Sequence, residues 1–171
     1  MKTVIPKDFL EKINVGKVLR YAVYLLVLLL MQDTLLTQLR ILGVCPMFLP
    51  AAAVAMGMFE GATWGPLFSL LMGIFADMAF VENTVLFTLT FPAISFAAAF
   101  ISNYFINRRF FAYMGAAVLG ILITAAGQLL KTAASDTFST VMVTTALLQT
   151  LWSIPFAALA YFPPARMSRL E

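Results

Sequence analysis

The sequence predicts an all-α integral membrane protein with six transmembrane helices. Three observations carry that prediction. Hydrophobic residues make up 62% of the 171-residue chain and charged residues 11%, against about 25% charged in an ordinary soluble domain. Mean hydropathy is +0.94. The Lys and Arg residues fall between apolar runs rather than gathering on one face, as a nucleic-acid surface would require. A single soluble domain of this length could not hide so much apolar surface from water, and disorder needs the opposite composition.

Residues 1–20 form a tail ahead of the first apolar run. It lacks the form of a cleavable signal, so the first run is expected to stay as a span. Two forms suit the tail. Pro6 could open a short interfacial helix with Phe9, Leu10 and Ile13 on its apolar face, or the tail could be a solvated tether. A span needs about twenty mostly apolar residues. The first is 21–39. The second and third, about 44–59 and 65–81, are short and separated only by EGATW at 60–64. Glu60 and Gly61 break the run there, and Pro66 suits the first turn of a new helix. A re-entrant pair is the alternative to two full crossings. The fourth, fifth and sixth spans lie at about 84–106, 110–131 and 138–162. Pro92 and Pro155 should kink their helices, and Pro163–Pro164 should end the sixth. The transmembrane domain is thus 21–162, followed by a C-terminal tail, 163–171.

Cation placement sets the orientation. With both termini cytoplasmic, Lys2, Lys7, Lys12, Lys17, Arg20, Arg108, Arg109, Arg166 and Arg169 lie inside, and only Arg40 and Lys131 lie outside. The opposite orientation would reverse that bias.

The chain has no histidine and a single cysteine. No disulfide can form within it, no His/Cys metal set exists and His-based acid–base chemistry is excluded. No cofactor is expected. Cys45 suits a small apolar filler at a segment boundary. The clearest pattern is a small residue at every fourth position: Gly57, Gly61, Gly65, Ser69, Gly73, then Asp77. Within the third span, Gly65, Ser69, Gly73 and Asp77 share a face on which another helix can approach closely. That helix could belong to this chain or to a partner. Asp77 lies twelve residues past Gly65, about 18 Å along a helix, and Asp33 is at similar depth in the first span. Intramembrane carboxylates face the bundle interior and find partners, so Lys131 is expected to pair with Asp77 or Asp33. Gln32, Gln38, Gln128 and Gln149 suit interhelical hydrogen bonds of about 1 kcal/mol each, with a small-molecule contact as the sharper alternative. Two carboxylates near the outer interface without a deeper acid make a poor proton relay, and no filter loop or charge ring suggests a channel.

Several of these residues resemble the MreD family, the small membrane subunit of the bacterial rod-shape machinery. The first span ends in MQDTLLTQLRILGVCP, with Gln32, Gly43 and Pro46 in the family's pattern. EGATWGPLFSLLMGIFADMAF supplies its Gly-xxx-Gly and Gly-xxx-Asp stretch as Gly61, Gly65, Gly73 and Asp77, and Arg108–Arg109 follows the fourth span. The resemblance covers roughly residues 24–110 and departs at Met47, where members often carry an acid. It implies a six-helix fold similar to the substrate-binding subunits of energy-coupling-factor transporters. It further implies a non-enzymatic scaffold in the bacterial plasma membrane, serving peptidoglycan synthesis and cell shape. Its partners would be MreC and, through it, MreB, with RodA and a class B penicillin-binding protein in the same assembly. The competing expectation is the small-molecule-binding subunit of such a vitamin transporter, with Asp33, Asp77 and Gln128 toward the ligand. The bulky first span, YAVYLLVLLLMQ, lacks the Ala-rich docking face that role requires.

Overall fold

The computed structural model describes residues 15–36, 38–39, 43–79, 85–104, 110–134 and 140–167. Every regular element among them is helical. Helix α1 (Val15–Leu30) runs into a π-helical turn, Met31–Leu36. It is followed by α2 (Leu49–Ala79), α3 (Leu86–Tyr104), α4 (Phe110–Ala134) and α5 (Thr140–Met167). Leu49–Ala79, Phe110–Ala133 and Val141–Ala165 are long and apolar enough to cross a membrane, and Leu86–Ser102 is a shorter apolar helix. The expected tail helix around Pro6–Ile13 and the cations Arg40, Arg108, Arg109 and Arg169 lie outside the described residues.

Helix α2 is not one rod. Gly61 has φ 78° and ψ −172°, a conformation in which only glycine avoids a clash of Cβ with its own backbone. A Cβ built on Gly65 would lie 2.8 Å from the Cα of Gly57. Along a straight helix those residues would stand about 12 Å apart. The two arms, 49–60 and 62–79, therefore fold back on each other. The sequence suggests a five-residue turn at 60–64; the break is only one residue wide, because Gly61 alone supplies the reversal.

Contacts with α3 fix the same geometry. A Cβ on Gly57 would overlap the carbonyl of Ser95, and one on Gly73 would lie 2.5 Å from the carbonyl oxygen of Phe87. Phe87 and Ser95 are separated by eight residues, as are Gly65 and Gly73, so both pairs span about 12 Å. The second arm thus runs antiparallel to α3 and the first arm parallel to it. The first arm is buried from Leu49 through Met58. Its alanines, Ala51, Ala52, Ala53 and Ala55, let neighbours close in from all sides, as a helix apolar all round requires. Helix α4 approaches it at Gly120, where a Cβ would meet Val54.

Large apolar side chains face outward on every helix: Val23 and Leu26 on α1, Leu67 and Leu71 on the second arm, Leu89 and Phe96 on α3, Phe111 and Leu119 on α4, Leu147 and Leu151 on α5. Exposure on that scale, all the way round, suits a lipid environment.

One expectation needs correction. Pro163–Pro164 does not end the last helix, which continues to Met167. Pro164 lacks the N–H that would bond the carbonyl four residues back, that of Ala160. The Tyr24 hydroxyl donates to that carbonyl instead, at 3.0 Å, so the acceptor that Pro164 leaves without an intrahelical donor has a partner.

The close approaches make a stability prediction. Gly73→Ala should destabilise by about 1–3 kcal/mol, because the new methyl group meets backbone that cannot rotate away. Gly61→Ala should cost a similar amount through backbone strain. Gly115, with open space around its Cβ, should tolerate Ala or gain up to about 1 kcal/mol in helix propensity. Thermal unfolding of the detergent-solubilised chain, followed by circular dichroism, ranks the three; equal losses at 73 and 115 would contradict the packing described.

Candidate functional site

The polar side chains collect at the end of the bundle remote from Gly61. There the chain from Cys45 to Phe48 runs unwound before the first arm begins. Helix α1 gives way to the π-turn just opposite, and Gln32 in that turn is only 7% exposed. Its amide does two jobs: Nε2 donates to the Pro46 carbonyl at 3.1 Å, and Oε1 accepts from the Phe48 N–H at 3.2 Å. Helix α5 supplies the rest. Ser153 Oγ accepts from the Met47 N–H at 2.8 Å and donates to the Gln149 carbonyl at 2.6 Å. Gln149 Nε2 donates to the Cys45 carbonyl at 3.3 Å. Ala52 N–H then bonds Phe48 O at 3.1 Å and the helix is under way. Backbone without helical partners is tolerated inside an apolar bundle only when such bonds replace them. Each orphaned group would cost about 1–3 kcal/mol.

Asp77 solves a second backbone problem. Its Oδ1 accepts from the Phe87 N–H at 3.1 Å, and its Oδ2 accepts from the Thr88 N–H at 2.7 Å and the Thr88 hydroxyl at 2.6 Å. Phe87 and Thr88 open α3, where N–H groups have no intrahelical acceptor and the helix dipole favours a negative charge. Gly73 and Asp77 act as one unit. The spacing of four puts both on one face; the glycine admits the start of α3 and the carboxylate one turn later caps it. These charge-assisted bonds are what Asp77 makes in place of the expected pair with Lys131, which sits in the last turn of α4.

The face Gly61, Gly65, Ser69, Gly73, Asp77 is thus turned into the chain's own bundle. Gly61 forms the bend, Gly65 lies on Gly57, and Gly73 and Asp77 meet α3. Ser69 is fully buried between them, and its hydroxyl has no hydrogen-bond partner. Gln128 stands apart, its Nε2 3.9 Å from Met47 Sδ. It joins Thr132, Thr145 and Gln149 along a groove of about 200 Å³ between α4 and α5. Asp33 is exposed and, with Gln32, lines a separate cavity of about 200 Å³ between the π-turn and the second arm.

Sequence reasoning missed several of these roles. Ser153 carried no visible signal. Tyr24 and Tyr113 stand near the ends of apolar runs, where interfacial aromatics gather, yet Tyr113 lies wholly buried with its hydroxyl 2.7 Å from the Ala157 carbonyl and 3.2 Å from that of Ala51. A proline in a helix does announce a free carbonyl four residues earlier, and that signal could have led to Tyr24. Trp152, in the middle of α5, donates from Nε1 to the Leu39 carbonyl at 3.4 Å. At the opposite end the Tyr21 hydroxyl donates to Glu60 beside the bend.

In comparisons with family models, curated proteins and solved structures, nothing matches the chain.

The cap predicts a graded series at Asp77. Asp77→Ala leaves two backbone donors orphaned and should cost about 2–4 kcal/mol; Asp77→Asn keeps one acceptor oxygen and should cost about half as much. The exchange Asp77→Lys with Lys131→Asp should not restore stability. Thermal midpoints of the four proteins decide the matter, and rescue by the exchange would mean an ion pair rather than a helix cap.

Proposed function

We propose that the chain is a non-enzymatic scaffold subunit of the bacterial cell-wall elongation machinery, of the MreD kind. The observation that carries this reading is the use made of the residues that bear the resemblance. Gln32 clamps Pro46 and Phe48, Gly61 turns α2, Gly65 and Gly73 admit their neighbours, and Asp77 caps α3. A pattern consumed in building the bundle suits a protein whose work is to be a shape that partners bind.

In this reading the six helical segments each cross the plasma membrane, and both termini are cytoplasmic. Two features support it. Arms and helices alternate in direction. The short first arm, about 18 Å long, gains about 16 Å from the five extended residues 44–48, and together they match a hydrocarbon core of about 30 Å.

The partner helix would be that of MreC, linking the subunit to MreB, with RodA and a class B penicillin-binding protein nearby. Because α3 covers the Gly65–Gly73 face, MreC must use another helix face. The crevice between α1 and α5, lined by Tyr24, Val27, Met31, Phe48, Phe156 and Leu159, has about 100 Å³ of apolar space, room for a side-chain knob. A second reading, the small-molecule-binding subunit of a vitamin transporter, draws on the polar groove at Gln128, Thr132, Thr145 and Gln149.

A photocrosslinking residue at Val27 or Leu159 should capture MreC from native membranes, and one at Leu119, on the far helix α4, should not. Capture of an ATPase-linked coupling subunit would favour the transporter reading and overturn the scaffold.

A further inference from the structure

We infer that the groove between α4 and α5 is a binding site for a neutral, hydroxyl-rich group such as a sugar ring. Gln128 and Thr132 on α4 and Thr145 and Gln149 on α5 supply its polar lining, with Ala125 and Ala146 on its apolar walls. No charged side chain among the described residues lines it. The two carboxamides are aimed by their nitrogens. Gln149 Nε2 donates to the Cys45 carbonyl at 3.3 Å, and Gln128 Nε2 stands 3.9 Å from Met47 Sδ. Cys45 and Met47 belong to the unwound segment and not to the groove, so both nitrogens are turned toward that segment. Neither amide oxygen has a hydrogen bond from a described residue, and neither is sealed off as the hydroxyls of Ser69 and Ser95 are. The Thr145 hydroxyl gives its proton to the Val141 carbonyl at 2.8 Å, a back-bond that leaves its oxygen as an acceptor.

The lining therefore holds three open acceptors, Gln128 Oε1, Gln149 Oε1 and Thr145 Oγ1, against one spare N–H on each amide. A ligand that fits brings donors and no charge. A cation would leave water for oxygens that carry no compensating charge, and an anion would be repelled by the same oxygens. Neighbouring hydroxyls each bring a proton and accept from the spare N–H groups. The placement suits an amphiphile. Gln128 lies six residues before the end of α4, and Gln149 nine residues after the start of α5, about 9 and 14 Å along the helices. Both depths fall near the boundary of headgroups and hydrocarbon, where an amphiphile keeps its polar end. Thr145 is exposed at the edge of the groove, and about 200 Å³ gives room for one headgroup and not for a folded partner. A sugar-headed lipid and a free sugar share that chemistry. The inference does not rest on the scaffold reading, whose helix crevice lies between α1 and α5.

The test uses the full chain in phosphatidylcholine nanodiscs. Monoglucosyl diacylglycerol should raise the thermal midpoint over discs with plain diacylglycerol, by about 3–6 °C at roughly ten times its dissociation constant. Gln128→Met, which removes one amide and keeps the bulk, should abolish the difference. Ala146→Phe, which fills the groove and keeps every polar group, should abolish it too. Each variant is scored against its own midpoint in diacylglycerol discs, so a general loss of stability does not imitate a loss of binding. Methyl glucoside added to discs without the glycolipid separates the sources. A rise with methyl glucoside identifies the sugar itself as the ligand, and a rise with the glycolipid alone identifies a lipid headgroup. No rise with either probe in the wild-type chain, or a rise that survives in either variant, overturns the proposal.

Discussion

Backbone amides and carbonyls inside an apolar bundle have no water to bond, and this constraint shapes the rest of the fold. Regular helix meets it automatically, so the informative places are those where helix fails. Among the described residues, intrahelical partners are missing along Cys45–Phe48, at the first N–H groups of α3 and at the Ala160 carbonyl opposite Pro164 in α5. At each the missing partner is a side chain from a distant element: Gln32, Gln149 and Ser153 at the unwound segment, Asp77 at α3, Tyr24 at Ala160. These bonds do more than satisfy polar groups. They tie the π-turn to the first arm, the second arm to α3, and α1 to α5, pairs of segments that apolar packing alone would leave free to slide.

Small residues set the other half of the architecture. Gly57, Gly65 and Gly73 bring the two arms and α3 into backbone contact, and the alanines of the first arm allow it to be enclosed on all sides. Bulky apolar side chains also cover the outside of every helix. The interior thus joins small residues to large ones such as Tyr21, Phe91 and Tyr113, and the exterior is apolar as well, unlike that of a water-soluble bundle. For function, the consequence is that close-packing motifs are consumed internally. What remains for partners is the outer apolar surface, its crevice at α1 and α5, and two cavities at the polar end.

Much of this was legible in the sequence, for physical reasons. Each of the six apolar runs contains a helix, because length and hydropathy are local properties. Gly61 announced a break, and the four-residue spacing of Gly65, Ser69, Gly73 and Asp77 announced a close-packed face. What the sequence withheld was pairing. Nothing in the string says that Asp77 meets the N-terminus of α3 and not Lys131, since both are oppositely charged ends at similar depth. The depth of the reversal at Gly61 was hidden as well, because one glycine and a five-residue turn look alike in EGATW. Ser153 looks like any helix serine until Met47 is set against it. Pro163–Pro164 looks like a stop until Tyr24 is seen to serve the Ala160 carbonyl that Pro164 leaves free.

The polar side chains at the unwound segment and at the start of α3 are committed to the chain's own backbone. Hydrogen–deuterium exchange of the full chain in nanodiscs tests this most directly at Met47 and Phe48. Their amides lie outside any helix, yet Ser153 and Gln32 accept from them. They should exchange as slowly as the amides of the first arm, and Gln32→Ala should release Phe48 selectively. Fast exchange at both positions in the wild-type chain would contradict the account.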